Sequence, residues 1–309
     1  MSATLTQKKS IASVKSNAES FLFILPAVLI FSVFYIYPFS QIFNLSLREW
    51  DGISLSRPLI WFDNYKELLG DKIWWQSLWH AGYITLFALT FQNILAFALA
   101  LACDREMKLK GFYRVVFFIP PILSEIVVAL IWKWILYSGM QEGQHIGLLN
   151  YFLNRTGWHH LINNWLSNPE TALTCIAIVH SWKGFGWGFI MLLAGLQTID
   201  RQLYEAARVD GAGPLSVFKN VTIPMMLPVI VVVLILTVLG SMQVFVLILG
   251  MVGQGLVYHT EVPVTRILTA MQSGEPRFGY ACAMGINFGM ILIAVSFTMK
   301  LISSRMKQA

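Results

Sequence analysis

A helix needs about 20 mostly apolar residues to cross the hydrocarbon layer of a membrane. This chain supplies six such stretches, roughly residues 20–45, 76–103, 113–138, 172–197, 223–251 and 280–303. Lipid offers no partner for a bare N–H or C=O, so spanning segments must be helices or strands of a closed barrel. These stretches have helical length. The predicted fold is therefore all-α, a polytopic membrane protein of about six transmembrane helices. Composition agrees: 56% of residues are hydrophobic and 12% charged, against about 25% charged in soluble domains. Pro120 and Pro121 predict a kinked or broken third span, while Pro26 and Pro38 in the first are tolerable where neighbours satisfy the freed carbonyls.

Charge sets the orientation. With the N-terminal tail in the cytoplasm, the inside segments hold 13 of the 22 Lys and Arg, and the longer outside segments (about 46–75, 139–171 and 252–279) hold 7. That bias predicts both termini inside. The organisation is then a cytoplasmic tail over 1–19, a transmembrane domain over 20–303 and a second tail over 304–309. The first span reads as retained, being too long for a cleavable signal. The net charge of +6 is a topology signal at the membrane surface and not a nucleic-acid footprint. Cys103, Cys175 and Cys282 have no Cys-x-x-Cys spacing, so neither a disulfide framework nor a metal site is expected. Trp74, Trp75 and Trp79 read as an interfacial aromatic belt. No acid/base pair or nucleophile constellation marks an enzyme. No Gly-x-x-x-x-Gly-Lys-Ser/Thr is present to cradle ATP.

One polar segment, 200–222, sits between the fourth and fifth spans on the predicted cytoplasmic side. Asp200 is placed to cap a short helix from Arg201. Gly211-Ala212-Gly213 ends it, and Pro214 suits the first turn of the next. The expectation is two short helices joined by a Gly-rich bend. Small residues, Ala206, Ala207, Gly211 and Ala212, let another protein approach closely, and Glu205, Arg208 and Asp210 offer charged contacts at the rim. An interfacial amphipathic helix with no partner is the alternative.

Within this segment Glu205-Ala206-Ala207, Asp210-Gly211-Ala212, Phe218, Thr222 and Pro224 resemble the EAA motif of binding-protein-dependent ABC importer permeases. The likeness extends to Leu193-Ala194-Gly195-Leu196-Gln197, Phe112-Tyr113-Arg114, Phe118-Ile119-Pro120 and Asn64-Tyr65, and covers roughly 20 to 305. It is similar to the sugar-permease branch, the subunits for maltose and glycerol-3-phosphate. The resemblance implies the ABC importer permease fold in a bacterial inner membrane, and a pore-forming subunit that is not itself an enzyme. Glu205, Ala206, Ala207, Asp210, Gly211, Ala212 and Pro224 would form a coupling segment against a separate ATPase dimer. That dimer would hold the ATP and Mg, this chain binding no cofactor. The implied partners are a second permease subunit and an extracytoplasmic solute-binding protein. The implied cargo is a sugar or oligosaccharide moved by alternating access, with a phosphorylated polyol as the runner-up. A stand-alone secondary transporter is the alternative of another class, disfavoured because no internal repeat is present.

Polar groups inside spans are functional suspects. His180, Lys183, Gly184 and Trp187 fall at i, i+3, i+4 and i+7 and share a helix face. His180 and Lys183 can donate to hydroxyls, Trp187 can stack on a ring, and Gly184 leaves room. Thr237, Gly240, Ser241 and Val244 share a face of the fifth span, with Gln243 beside it. The resemblance puts substrate contacts on these faces: His180, Lys183, Gly184, Trp187, Thr237, Ser241, Gln243 and Val244. Family members often carry amides here, and this chain has His180 and Ser241. Glu125 is open between an ion pair with Lys133 or Lys183, a substrate contact and a place at the water interface. Ala281, Gly285 and Gly289 form small-residue steps suited to close helix packing.

Overall fold

The computed structural model describes residues 21–105, 108–141, 144–145, 147–253 and 257–306. The whole N-terminal tail, with Lys8, Lys9 and Lys15, and the last residues from Lys307 lie outside the described residues. Among the described residues, strand structure amounts to the pair Met140–Gln141 and Gln144–His145 and an isolated bridge between Arg48 and Leu59. The rest of the regular structure is helical. The first helices are α1 (Phe21–Ser46), α2 (Asp63–Gly70), α3 (Lys72–Asp104), α4 (Lys110–Ile122), α5 (Glu125–Ile135) and α6 (Leu148–Arg155). Then come α7 (Pro169–Leu196), α8 (Arg201–Val209), α9 (Pro214–Met242), α10 (Val246–Met251), α11 (Val257–Thr260), α12 (Pro263–Gln272) and α13 (Phe278–Met306). Helices α1, α3, α7, α9 and α13 are each long and apolar enough to cross a membrane. The α4–α5 pair would make a sixth span, but it bends by 95° at Leu123–Ser124.

That bend replaces the single span expected over 113–138. Pro120 and Pro121 lack the N–H groups that would bond the carbonyls of Val116 and Phe117. The helix runs two residues further and then opens, Leu123 and Ser124 both taking extended ψ. The fifth span also differs from the expected 223–251. It begins at Pro214, so the second helix of the polar segment is the first turns of a 29-residue helix. A π turn over Phe218–Thr222 carries the chain through, with Ile223 N–H bonded to Phe218 O. The helix stops at Met242, and the chain restarts as α10 at Val246.

The chain divides into two compact units. The first comprises residues up to Leu69 together with 270–287. Its lock is Asn64, buried, whose amide donates to the carbonyls of Ser46 (2.8 Å) and Arg48 (3.0 Å) at the end of α1. Tyr65 OH pairs with Ser46 Oγ at 2.8 Å. The Asn-Tyr pair thus satisfies helix-end groups that have no partner inside the helix. Arg277 closes the unit with two bonds to Glu67, at 2.5 and 2.6 Å, a fork-to-carboxylate geometry.

The second unit comprises 70–269 and 288–309. Asp71 opens α3 by accepting from the N–H groups of Ile73 and Trp74, and Asn168 with Pro169 opens α7 in the same way. The core lies where α3, α7 and α9 meet. Ala96, Ala100 and Cys103 of α3 leave space that Phe185, Phe189 and Leu192 of α7 and Met226 and Val233 of α9 fill. Trp74 belongs to the buried interior, whereas Trp75 and Trp79 are exposed, so only two of the three indoles can serve a belt. The segment after α5 is tied down by its own bonds, Trp165 Nε1 to Asn150 Oδ1 (2.7 Å) and Asn150 Nδ2 to Asn163 O (2.9 Å). Of the small-residue steps, Ala281 is buried, while Gly285 and Gly289 have nothing among the described residues within 4 Å of where a Cβ would stand.

Candidate functional site

Helix α7 meets α4 backbone to backbone. The Phe117 carbonyl, deprived of its helical partner by Pro121, faces Gly186, and a Cβ at 186 would collide with it and with the Pro121 ring. This contact fixes the rotation of α7. It turns His180, Lys183, Gly184 and Trp187 toward one cavity of about 350 Å³. Thr237, Gly240 and Ser241 of α9 line the opposite wall. Six of the eight expected contacts therefore come together there: His180, Lys183, Gly184, Trp187, Thr237 and Ser241. Gln243 and Val244 do not line it. They follow the end of α9, where Val244 is buried and Gln243 exposed.

The polar groups are arranged in pairs. His180 Nε2 lies 3.1 Å from Ser241 Oγ, linking α7 to α9. Thr237 Oγ1 lies 2.9 Å from its own Val233 carbonyl and 3.1 Å from Asn93 Oδ1 on α3. Trp187 stands edge-on to Phe118, their centroids 5.3 Å apart, and is 56% exposed. Glu125 lines the same cavity as Lys183. Neither is in an ion pair among the described residues, so the expected pairing of Glu125 with Lys133 or Lys183 is not made. The walls thus carry one carboxylate and one ammonium, and a flat indole face beside them.

Gln92 was not foreseen. It ends a π turn, Ala88–Gln92, within α3, and such turns recur at functional sites. Its side chain is buried, lines the cavity and has an Oε1 with no hydrogen-bond partner. The space that Gly184 leaves open is taken by this carboxamide: a Cβ at 184 would lie 2.5 Å from Gln92 Oε1. Amide chemistry therefore reaches the cavity from α3, through Gln92, while Asn93 beside it is engaged with Thr237. The signal in the sequence was two adjacent amides inside an apolar run.

The polar segment forms a bend with well-defined ends. Asp200 accepts from Gln202 N–H at 2.9 Å to start α8. At its other end Ala212 N–H bonds Ala207 O (2.9 Å) and Gly211 N–H bonds Arg208 O (3.0 Å). With Gly211 at φ +75° this is a Schellman motif. Pro214 then starts α9. No residue of α8 is buried, and Val209 and Leu215 are 88% and 76% exposed. Tyr204 OH, 3.2 Å from Thr222 Oγ1, links α8 to α9. Glu205, Ala206, Asp210 and Gly211 are exposed on this elbow, while Ala207 and Ala212 are half-buried. Pro224 lies ten residues into α9, beyond the π turn.

Fold and site together define a polytopic helical membrane protein with a cavity that carries polar groups and an exposed elbow leading into one of the helices that line it. Residues 92–308 match the family described as binding-protein-dependent transport system inner membrane component. The chain belongs to that family. It is 33% identical over 239 residues to the sulfoquinovosyl glycerol transport system permease protein SmoG of Agrobacterium fabrum, covering 76% of this chain and 74% of that one. It is 31% identical over 255 residues to the trehalose/maltose transport system permease protein MalF of Thermococcus litoralis, covering 82% and 83%. A bacterial ABC transporter that imports the acidic polysaccharide alginate contains a chain of the same fold, with a TM-score of 0.78, 23% identity and coverage of 95% and 98%.

Proposed function

We propose that this chain is the pore-forming subunit of an ATP-driven, binding-protein-dependent importer for a neutral sugar or oligosaccharide. The observation that carries this reading is the cavity, which offers hydroxyl-binding groups from three helices beside one indole face, with Glu125 and Lys183 opposing one another in charge. That lining suits a ligand rich in hydroxyls and without net charge. The names of the relatives, which include permeases for trehalose/maltose and for arabinooligosaccharides, support the same class. His180, Lys183, Gly184, Trp187, Thr237 and Ser241 are the proposed contacts, joined by Gln92 and Glu125. A phosphorylated polyol is the second reading, favoured by Lys183, which has no ion-pair partner among the described residues, and by the likeness to an sn-glycerol-3-phosphate permease of Pectobacterium atrosepticum.

The elbow is the proposed coupling device. A small-residue helix with no buried residue is suited to sit in a groove of a separate ATPase, which would supply ATP and Mg. Its direct run into α9 gives a rigid path to Thr237 and Ser241 in the cavity wall. The second permease chain, the ATPase dimer, the solute-binding protein and the cytoplasmic placement of both termini belong to this proposal. Each ligand would bias states separated by a few kcal/mol. Reconstitution with these partners tests it: ligand-loaded binding protein and ATP are expected to drive uptake, and Glu205→Lys or Gly211→Pro to abolish uptake with insertion intact. Uptake by the chain alone, driven by an ion gradient, would refute it.

A further inference from the structure

A second, much smaller cavity of about 20 Å³ lies away from the first, where the end of α10 approaches α11 and α12. Glu261, between α11 and α12, lines it and is 3% exposed. Neither of its carboxylate oxygens has a hydrogen-bond partner. Burial is the largest influence on this carboxyl and pushes its pKa up, the Arg266 charge and the neighbouring Thr269 hydroxyl pull it down, and the Asp71 charge raises it again. Arg266 directs its Nη2 to Asp71 at 3.3 Å, so one guanidinium faces two carboxylates. His80 Nδ1 meets the Glu261 backbone carbonyl at 2.8 Å and does not serve the side chain. His259 on α11 is exposed. With Glu261 ionised, the cluster is one positive charge short among the described residues.

The walls of this cavity are rich in lone pairs and poor in protons. Thr269 Oγ1 spends its proton on Thr265 O (2.9 Å), and Thr265 Oγ1 spends its own on Val262 O (2.9 Å). Gly253 N–H is taken by Leu249 O (3.0 Å) at the carbonyl end of α10. Among the described residues no donor stands within hydrogen-bond distance of either Glu261 oxygen. The carbonyl end of a helix favours positive charge, and a volume of one probe sphere holds one small occupant. A divalent ion is ordinarily held by more than one carboxylate or by retained waters, and this cavity supplies one carboxylate and hydroxyls.

We propose that Glu261, with the hydroxyl oxygens of Thr265 and Thr269, binds a single dehydrated monovalent cation of about sodium's size. The ion restores neutrality and ties α10 to α12. This goes beyond the transport reading and does not depend on it.

The test is the thermal unfolding midpoint of the intact chain in its assembled complex, in detergent, with choline chloride exchanged for sodium chloride at constant ionic strength. Sodium is expected to raise the midpoint by about 5 °C once a hundredfold above its dissociation constant. Glu261→Gln is expected to remove the dependence. Thr269→Val is expected to raise the half-saturating sodium concentration about tenfold, whatever its midpoint in choline. The proposal is overturned by a midpoint indifferent to sodium, the outcome for a neutral Glu261 beside a water. It is equally overturned by a response that survives Glu261→Gln, or by one to calcium alone. Should Glu261→Gln fail to fold, an unchanged half-saturation in Thr269→Val overturns it.

Discussion

Gly184→Ala reads out the carboxamide of Gln92. The new Cβ would stand 2.5, 2.8 and 2.9 Å from Gln92 Oε1, Cδ and Nε2. All three atoms belong to one flexible side chain, so the clash is relieved by swinging it aside, at a stability cost of about 1 kcal/mol, the low end for overpacking. The swing removes an acceptor from the cavity wall. One hydrogen bond to a ligand hydroxyl is worth about 1 to 1.5 kcal/mol, so the KM for ATP-driven uptake of the cognate sugar should rise about tenfold. Gln92→Ala should produce a similar rise. The double variant should be no worse than either single one, because both act on the same group, and it should recover the stability lost in Gly184→Ala. The assay is initial uptake rate against substrate concentration in proteoliposomes, with unfolding midpoints measured alongside. A double variant whose KM rises about a hundredfold, the product of two independent effects, would refute the reasoning and return the Gly184 space to the substrate.

Two residues along the helix the same change should behave differently. In Gly186→Ala the Cβ meets a backbone carbonyl and Pro121 Cγ at 2.6 Å. These groups cannot swing aside, so a loss of about 3 kcal/mol is expected, read as a lower unfolding midpoint, and a near-native midpoint would contradict the α4–α7 contact. Trp187→Ala, at a half-exposed position, should leave the midpoint within a few degrees and raise the uptake KM several-fold; an unchanged KM would remove the indole from the site. Gly211→Ala forces a Cβ onto φ +75° and should weaken the elbow by about 1 kcal/mol, seen as faster hydrogen exchange of the α8 amides. Asp51 accepts from Ser54 and Ile53 N–H groups, which hold its pKa below 3.8. The order of the 51–54 turn should therefore be full above that pH and fade as the pH drops through the lowered value, followed by the Ile53 and Ser54 amide shifts.

Much of this was legible because membrane physics writes itself in simple lengths. Apolar runs located the spanning helices, and the elbow followed from Asp200, Gly211 and Pro214, three residues whose local roles need no tertiary information. The four α7 residues at helical spacing were read as one face, and they share one cavity. Gln92 escaped because the π turn over Ala88–Gln92 inserts a residue into α3 and shifts the face on which everything nearby lies. Uniform 3.6-residue spacing cannot anticipate that. Gly186 escaped for another reason: a glycine among apolar residues carries no sign of the carbonyl that will face it. Trp74 resembles its neighbours in sequence and differs from them only in what α3 packs against. The continuation of Pro214 into α9 was missed because proline was read as the start of a short helix, when a π turn downstream lets the helix run past Pro224.

The cavity partly answers its own polarity. Ser241 is held by His180 and Thr237 by Asn93, while Gln92 Oε1 waits without a donor. Under the proposed function, an arriving sugar would compete with two standing partnerships and meet one acceptor that has no donor among the described residues. Its grip would thereby be limited, which is what a passage needs when a cargo held too well would never leave. The same internal bonds would be free to re-form behind the departing molecule.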